Sequence, residues 1–442
     1  MMRVIVRNCK IYRDQGVIEN CYLIFDDGFI TEMGIEHNMK QNFDEKYDAR
    51  GRLLLPGIID AHTHLRDQEL RYKEDFLTGT SSAVLGGVTT LIDMPNNVPP
   101  TDSPQRLKDR MKCAKGKILA NVGFACYPST ELGVNRRMIE EGAIAFKIFT
   151  YNFMSGDRIE RTSLGRVLKA IAPLKKRLMV HCGPKITYDL VLSSLRSKKY
   201  FKLCKLEVQA VKQVISLASM YKPLLHICHI SCPSTLKLLK SLKRMLNITC
   251  EVTVHHMLLT KKVIEKRGVI AHVDPPLKGL KSSKELLRLF ASCDVDIVVS
   301  DHAPHALEEK ICKYPKPGFP NLQLMMPLLL TQVNKGLFTL STLLDKASAR
   351  PAKIFGISKR GLIEVGFRAD VVEVDLKRKI KVRSDMLVSK GKYTPFEGMT
   401  LQGFPMRTFV NGMCVVDEGF VVGKGHEGAI LRGPVESVVS NG

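Results

Sequence analysis

Hydrophobic positions along this chain gather into short runs that end, repeatedly, on polar residues able to do chemistry. Leu53-Leu54-Leu55 through Ile58-Ile59 runs into Asp60-Ala61-His62-Thr63-His64. The run 88–92 ends at Asp93-Met94-Pro95-Asn96, 121–125 at Cys126, and 143–146 at Lys147. Further on, 178–180 reaches His181, 224–228 reaches His229, 248–254 reaches His255-His256, and 295–300 reaches Asp301-His302. Most intervals between them are long enough for a helix, 233–246 being one. Alternating strands and helices predict a parallel sheet. Eight such units with polar residues at the strand ends predict an α/β fold, a (β/α)8 TIM barrel whose site lies at that face. The barrel is expected over 55–364. The flanks, 1–54 and 365–430, carry short β-prone runs such as Val4-Ile5-Val6 and Thr408-Phe409-Val410. Neither flank can build a core alone, so the two are expected to meet in one small β-sandwich, with 431–442 as a tail.

Composition narrows the class. Hydrophobic residues make up 45% and charged residues 25%, the mixture of a globular protein and not of a disordered or collagen-like one. No apolar run reaches the roughly 18 residues of a membrane helix, and the N-terminus turns polar at Arg7-Asn8, so neither membrane insertion nor a signal peptide is expected. Lys plus Arg is 67 against 44 for Asp plus Glu, a formal charge of +23. That surplus admits nucleic acid, anionic membranes or small anions as partners, beside the simpler reading of a basic, solvated surface. The 12 Cys contain no Cys-x2-Cys pair; Cys228 and Cys232 are the nearest to one, with three residues between them. Reduced core thiols in a cytoplasmic protein are the expectation.

His62-Thr63-His64 carries the first chemical signal. On a strand, residues i and i+2 point to one side, so both imidazoles can hold a single ion. With His181, His229 and Asp301 at later strand ends, four histidines and an aspartate converge on one rim, a donor set suited to borderline metal ions such as zinc. Lys147 stands among them although an ammonium cannot ligate a metal. A lysine carbamylated by carbon dioxide would supply a bridging carboxylate there. Near the same rim, His226 and His255-His256 read as core or supporting residues, and Cys182 and Cys228 as packing thiols.

Taken together, these motifs resemble the amidohydrolase superfamily and, within it, the dihydroorotases. The resemblance runs over nearly the whole length: Pro56-Gly57-Ile58-Ile59-Asp60-Ala61-His62-Thr63-His64-Leu65-Arg66, Met94-Pro95-Asn96, Gly142-Ala143-Ile144-Ala145-Phe146-Lys147, His226-Ile227-Cys228-His229-Ile230-Ser231, Glu251-Val252-Thr253-Val254-His255-His256, Asp301-His302-Ala303-Pro304-His305 and Gly366-Phe367-Arg368-Ala369-Asp370. It implies two zinc ions, one on His62, His64 and Asp301 and one on His181 and His229, bridged by carbamylated Lys147. Asp301 would also carry the catalytic proton. Arg66, Asn96, Asp274 and His305 would bind the substrate, a small anion whose carboxylate meets Arg66. Hydantoinases, dihydropyrimidinases and allantoinases act on rings without that carboxylate and generally lack the arginine. A metal-free binding protein on the same fold is the remaining alternative, opposed by the complete ligand set. The resemblance leaves open a homodimer and association with an aspartate carbamoyltransferase, and makes a nucleic-acid partner superfluous. The chain departs from the family where Asp274-Pro275-Pro276-Leu277-Lys278 replaces Asn-Pro-Pro-Leu-Arg: an aspartate there would face an anion, so either a neighbouring cation offsets it, or the loop differs, or the substrate does. It departs again at Cys182-Gly183-Pro184 and at Asn321-Leu322-Gln323-Leu324.

Overall fold

The computed structural model describes residues 2–13, 16–36, 42–151, 160–196, 202–243, 245–292 and 294–434. The last eight residues of the expected tail lie outside them. Eight parallel strands follow one another in chain order: Ile58–Thr63, Val88–Asp93, Asn121–Cys126, Ala145–Phe149, Leu178–His181, Leu225–Ile227, Ile248–Thr253 and Ile297–Val299. They close into a barrel where the first meets the last. Thr63 bridges His302 in parallel, His64 N–H donates to His302 O at 2.9 Å, and the Asp60 carboxylate accepts from Ser300 N at 3.1 Å. Strands buried on both faces need near-continuous apolar sequence, which is why these runs were legible.

The run around residues 53–59 is not one strand. Gly57 divides it: Leu53–Pro56 joins the flanking sheet and Ile58–Thr63 the barrel. A Cβ at Gly57 would stand 2.0 Å from Thr89 Oγ1, so only glycine lets the chain pass this close to the second strand. The flanks meet as expected, in one nine-stranded sheet, through antiparallel pairing of Leu53–Pro56 with the first residues of Val371–Lys381. Side chains alternate along that joint. Leu53 and Leu55 enter the main core, whereas Leu54 packs with Val4, Phe25 and Phe409 in the sheet's own core. Residues 424–434 run beside the third barrel strand, where Val122 N donates to Ala429 O and Leu431 N to Val122 O.

The thiols correct one expectation. Cys204 and Cys232 form a disulfide, while the other described cysteines are free. Helix Lys202–Tyr221 sets its first turn beside the start of helix Pro233–Leu242. That packing brings Cα atoms 28 residues apart to 5.7 Å, within bridging range. A packing contact of this kind has no spacing signature in the sequence, and the expectation of reduced thiols fails at this one pair among the described residues. Among the described residues, no helix is long and apolar enough to cross a membrane.

Candidate active site

Each barrel strand delivers its last residues to one rim, and there a cavity of about 210 Å3 is lined by His62, His64, Arg66, Asn96, Lys147, His181, His229, Asp274, Asp301 and His305. All ten residues singled out in the sequence therefore meet in one place. His62 Nε2 lies 3.7 Å and His64 Nε2 3.4 Å from Asp301 Oδ1, and these donor atoms fall within 4.8 Å of one another. His181 Nδ1 and His229 Nε2 face each other at 2.9 Å. Lys147 Nζ stands between the groups, 3.3 Å from His62 Nε2 and 3.0 Å from Cys228 Sγ. Cys228 is thus in the site and not merely packing against it. No carboxylate lies within ion-pair reach of Lys147 among the described residues. Arg66, His229 and Asp301 take left-handed backbone angles, φ 55°, 33° and 48°. Such angles cost non-glycine residues energy and concentrate at functional sites.

Electrostatics fit the donor set to a cation. Burial holds His64, His181 and His229 well below the usual histidine range, so their rings are neutral and keep a lone pair for a metal. Buried ring nitrogens on all three, His64 Nδ1, His181 Nε2 and His229 Nδ1, have no hydrogen-bond partner. His62 differs. Burial and Lys147 press its pKa down, but Glu251 and Asp301 outweigh them and raise it. Two carboxylates at one ring demand positive charge there, which a proton or a metal ion satisfies.

Glu251 is the main residue that sequence reasoning passed over. Wholly buried in the seventh strand, it accepts from His62 Nδ1 at 2.5 Å, His226 Nε2 at 2.9 Å and His229 N at 3.0 Å. A proton on Nδ1 leaves His62 Nε2 free to face the cavity, the arrangement typical of metal-bound histidines. The available signal was a charged residue in the middle of an apolar barrel strand. His226 takes the supporting role expected of it. His256 bonds Thr253 Oγ1 and Pro275 O, which holds the loop carrying Asp274.

At the substrate end, Arg66 Nε donates to Pro304 O at 3.2 Å and Nη2 sits 3.4 Å from His305 Nε2. His305 leans on Lys73 Nζ, 3.4 Å from its Nδ1, and Tyr393 Oη bridges its backbone N and O at 3.1 and 3.0 Å. Asn96 Oδ1 has no partner. A neighbouring cation is present in buried Lys278, whose charge works to lower the Asp274 pKa; His181 Nε2 lies 3.9 Å from the carboxylate, and Tyr151 Oη donates to it at 3.3 Å. Burial outweighs these and pushes Asp274 up to about 7. Near neutral pH a share of molecules thus carries a neutral carboxylic acid there, the state nearest to an asparagine side chain.

The amidohydrolase family model matches residues 53–415. A dihydroorotase of Methanothermobacter thermautotrophicus is 34% identical over 439 residues, 96% of each chain. A dihydroorotase of Pyrococcus furiosus is 35% identical over 424 residues, 95% of this chain and 94% of that one. Among solved structures, the L-hydantoinase (dihydropyrimidinase) from Arthrobacter aurescens superposes with a TM-score of 0.89 at 26% identity, covering 98% of this chain and 100% of that chain. A family model spanning most of the chain, and relatives matched almost end to end, show that the chain belongs to the amidohydrolase family, as a hydrolase of cyclic amides akin to the dihydroorotases.

Proposed function

We propose that the chain is a zinc-dependent dihydroorotase that interconverts dihydroorotate and N-carbamoyl-L-aspartate, a step of pyrimidine synthesis. The observation that carries the choice of substrate is Arg66. Its guanidinium is 5% exposed, lines the cavity and forms no ion pair among the described residues. A buried cation without a counter-charge is costly, and a substrate carboxylate would supply the missing partner. Hydantoin, dihydrouracil and allantoin carry no such carboxylate, which sets the hydantoinase reading second despite the close superposition.

His62, His64 and Asp301 would hold one zinc ion, and His181 and His229 the other, with carbamylated Lys147 between them. Bound there, the ions supply Lewis acidity and lower the pKa of water into the neutral range. Arg66 fixes the carboxylate through its fork of N–H donors, and Asn96, His305 and protonated Asp274 complete that end of the cavity. Glu251 keeps the His62 ring in its orientation. In ring opening, water adds to the amide carbon and the C–N bond breaks. Asp301 takes the water's proton and delivers it to the leaving ring nitrogen; ring closure reverses each transfer.

The test joins metal analysis of the purified protein to an ultraviolet assay on dihydroorotate, dihydrouracil, hydantoin and allantoin. About two zinc per chain and turnover of dihydroorotate alone are expected; turnover of the uncarboxylated rings instead would move the chain to the hydantoinases. Arg66→Ala should keep its metal and lose about 2–5 kcal/mol of substrate binding, a roughly 30- to 4000-fold fall in kcat/KM.

A further inference from the structure

Lys310 is a wholly buried lysine that neither metal binding nor the chemistry uses. It lies on the short helix Leu307–Ile311, just after His305. Its ammonium donates to three backbone carbonyls, Lys316 O at 2.8 Å, Gly318 O at 2.8 Å and His272 O at 3.1 Å. No carboxylate pairs with it among the described residues. An ammonium has three N–H donors, and here all three are used on peptide oxygens from two separate segments.

Those segments are two walls of the cavity. Lys316, Pro317 and Gly318 line one side, Val273 and Asp274 another, and Gly318 N–H donates to His272 O at 2.9 Å where they touch. Between the two oxygens that Lys310 grips in its own loop stands Pro317, whose carbonyl lies 3.1 Å from His305 Nε2. The same nitrogen faces the Arg66 guanidinium at 3.4 Å, and Nδ1 faces Lys73 Nζ and Glu309 Oε2, each at 3.4 Å, so the ring is held from both edges. The ring beside Arg66 therefore takes part of its tilt from a carbonyl flanked by the two that Lys310 holds in place.

We propose that Lys310 is a positioning residue for the carboxylate end of the cavity, acting through the Lys316–Gly318 carbonyls and His305. This rests on the dihydroorotase reading, because the effect concerns a carboxylated ring. A side chain that served only to fill the core would leave substrate affinity untouched when replaced by an isostere. Lys310→Met keeps the apolar stem as far as Cε and loses all three donors; Lys310→Gln keeps two on a shorter arm. Expected for Lys310→Met are unchanged zinc content, kcat within about threefold and KM for dihydroorotate raised roughly 10- to 100-fold, with Lys310→Gln in between.

Gly318→Ala reaches the same wall by another route, since a Cβ there would meet Ala303 O at 2.5 Å and φ is +121°. It keeps the inference testable should the lysine variants fold poorly, and its KM should rise as well. If wild type turns over dihydroorotate but the variants that fold keep its KM, the clamp is refuted and the function stands. If wild type does not turn over dihydroorotate, both fall.

Discussion

Glu251 is wholly buried, so its charge depends on what it touches. Burial alone would raise its pKa, yet the charge on His62 and the hydrogen bonds from His226 and His62 hold it well below the usual carboxylate range. Glu251→Gln keeps the shape but turns one oxygen into a donor, which cannot accept from both His62 and His226. Metal affinity should fall roughly 10- to 100-fold, measured by competition with a chelator, while Arg66→Ala leaves it unchanged; equal affinity in Glu251→Gln and wild type would overturn the role given to this carboxylate. The ligands were legible because each stands at the end of an apolar run. Glu251 was not, because its partner His62 lies 189 residues away and only the strand order brings them together. Asp274 was legible as a departure but not in its resolution, since a proton in a buried pocket leaves no mark in sequence.

At the level of elements, helix Phe76–Leu85 shows how local sequence sets a boundary. Asp75 caps it: its carboxylate accepts from Thr78 N at 2.8 Å, and the Thr78 hydroxyl answers Asp75 N at 3.3 Å, a capping box. Lys390, from the far end of the chain, adds an ion pair at 2.5 Å. Burial works to raise the Asp75 pKa, but Lys390 and Thr78 outweigh it, and the value is lowered from 3.8. A depressed carboxylate contributes stability above its unfolded pKa and loses it as pH falls through the folded one. Asp75→Asn keeps the cap oxygen and loses the charge. At pH 7 it should cost about 0.5–1 kcal/mol, and the gap in Tm between metal-free variant and wild type should close as the pH drops below 4. A gap that stays constant with pH would assign the effect to shape and not to charge. Other boundaries were less legible. The division at Gly57 depends on Thr89 of the neighbouring strand, and the Cys204–Cys232 bond on two helices meeting. Period and turn chemistry report neither.

Across the whole molecule, the flanking sheet and the barrel share one core: Leu53, Leu55, Val372 and Val374 pack in the same cluster as Phe76, Leu91 and Phe146. The sequence foretold that the flanks would meet, since neither had enough apolar strands to stand alone; it could not foretell that residues 424–434 would cross over to the barrel. Charge is the other property that belongs to the whole. With 67 basic and 44 acidic side chains, at least 23 cations remain unmatched even if every carboxylate were paired. Burial takes cations and anions inward together, as where Glu373 is held between Arg52 and Arg407, so the surplus stays on the exterior. Surplus like charge on a compact body repels itself, and salt shortens the reach of that repulsion from about 30 Å at 0.01 M to about 3 Å at 1 M. Raising sodium chloride from about 0.02 to about 0.5 M at pH 7 should therefore raise Tm by a few degrees, roughly what 1–2 kcal/mol gives a large domain. Attraction within pairs such as Arg52–Glu373 is partly buried and screened less, so it opposes the rise weakly. A fall in Tm would mean that paired charges, and not the surplus, dominate the electrostatic energy of the fold.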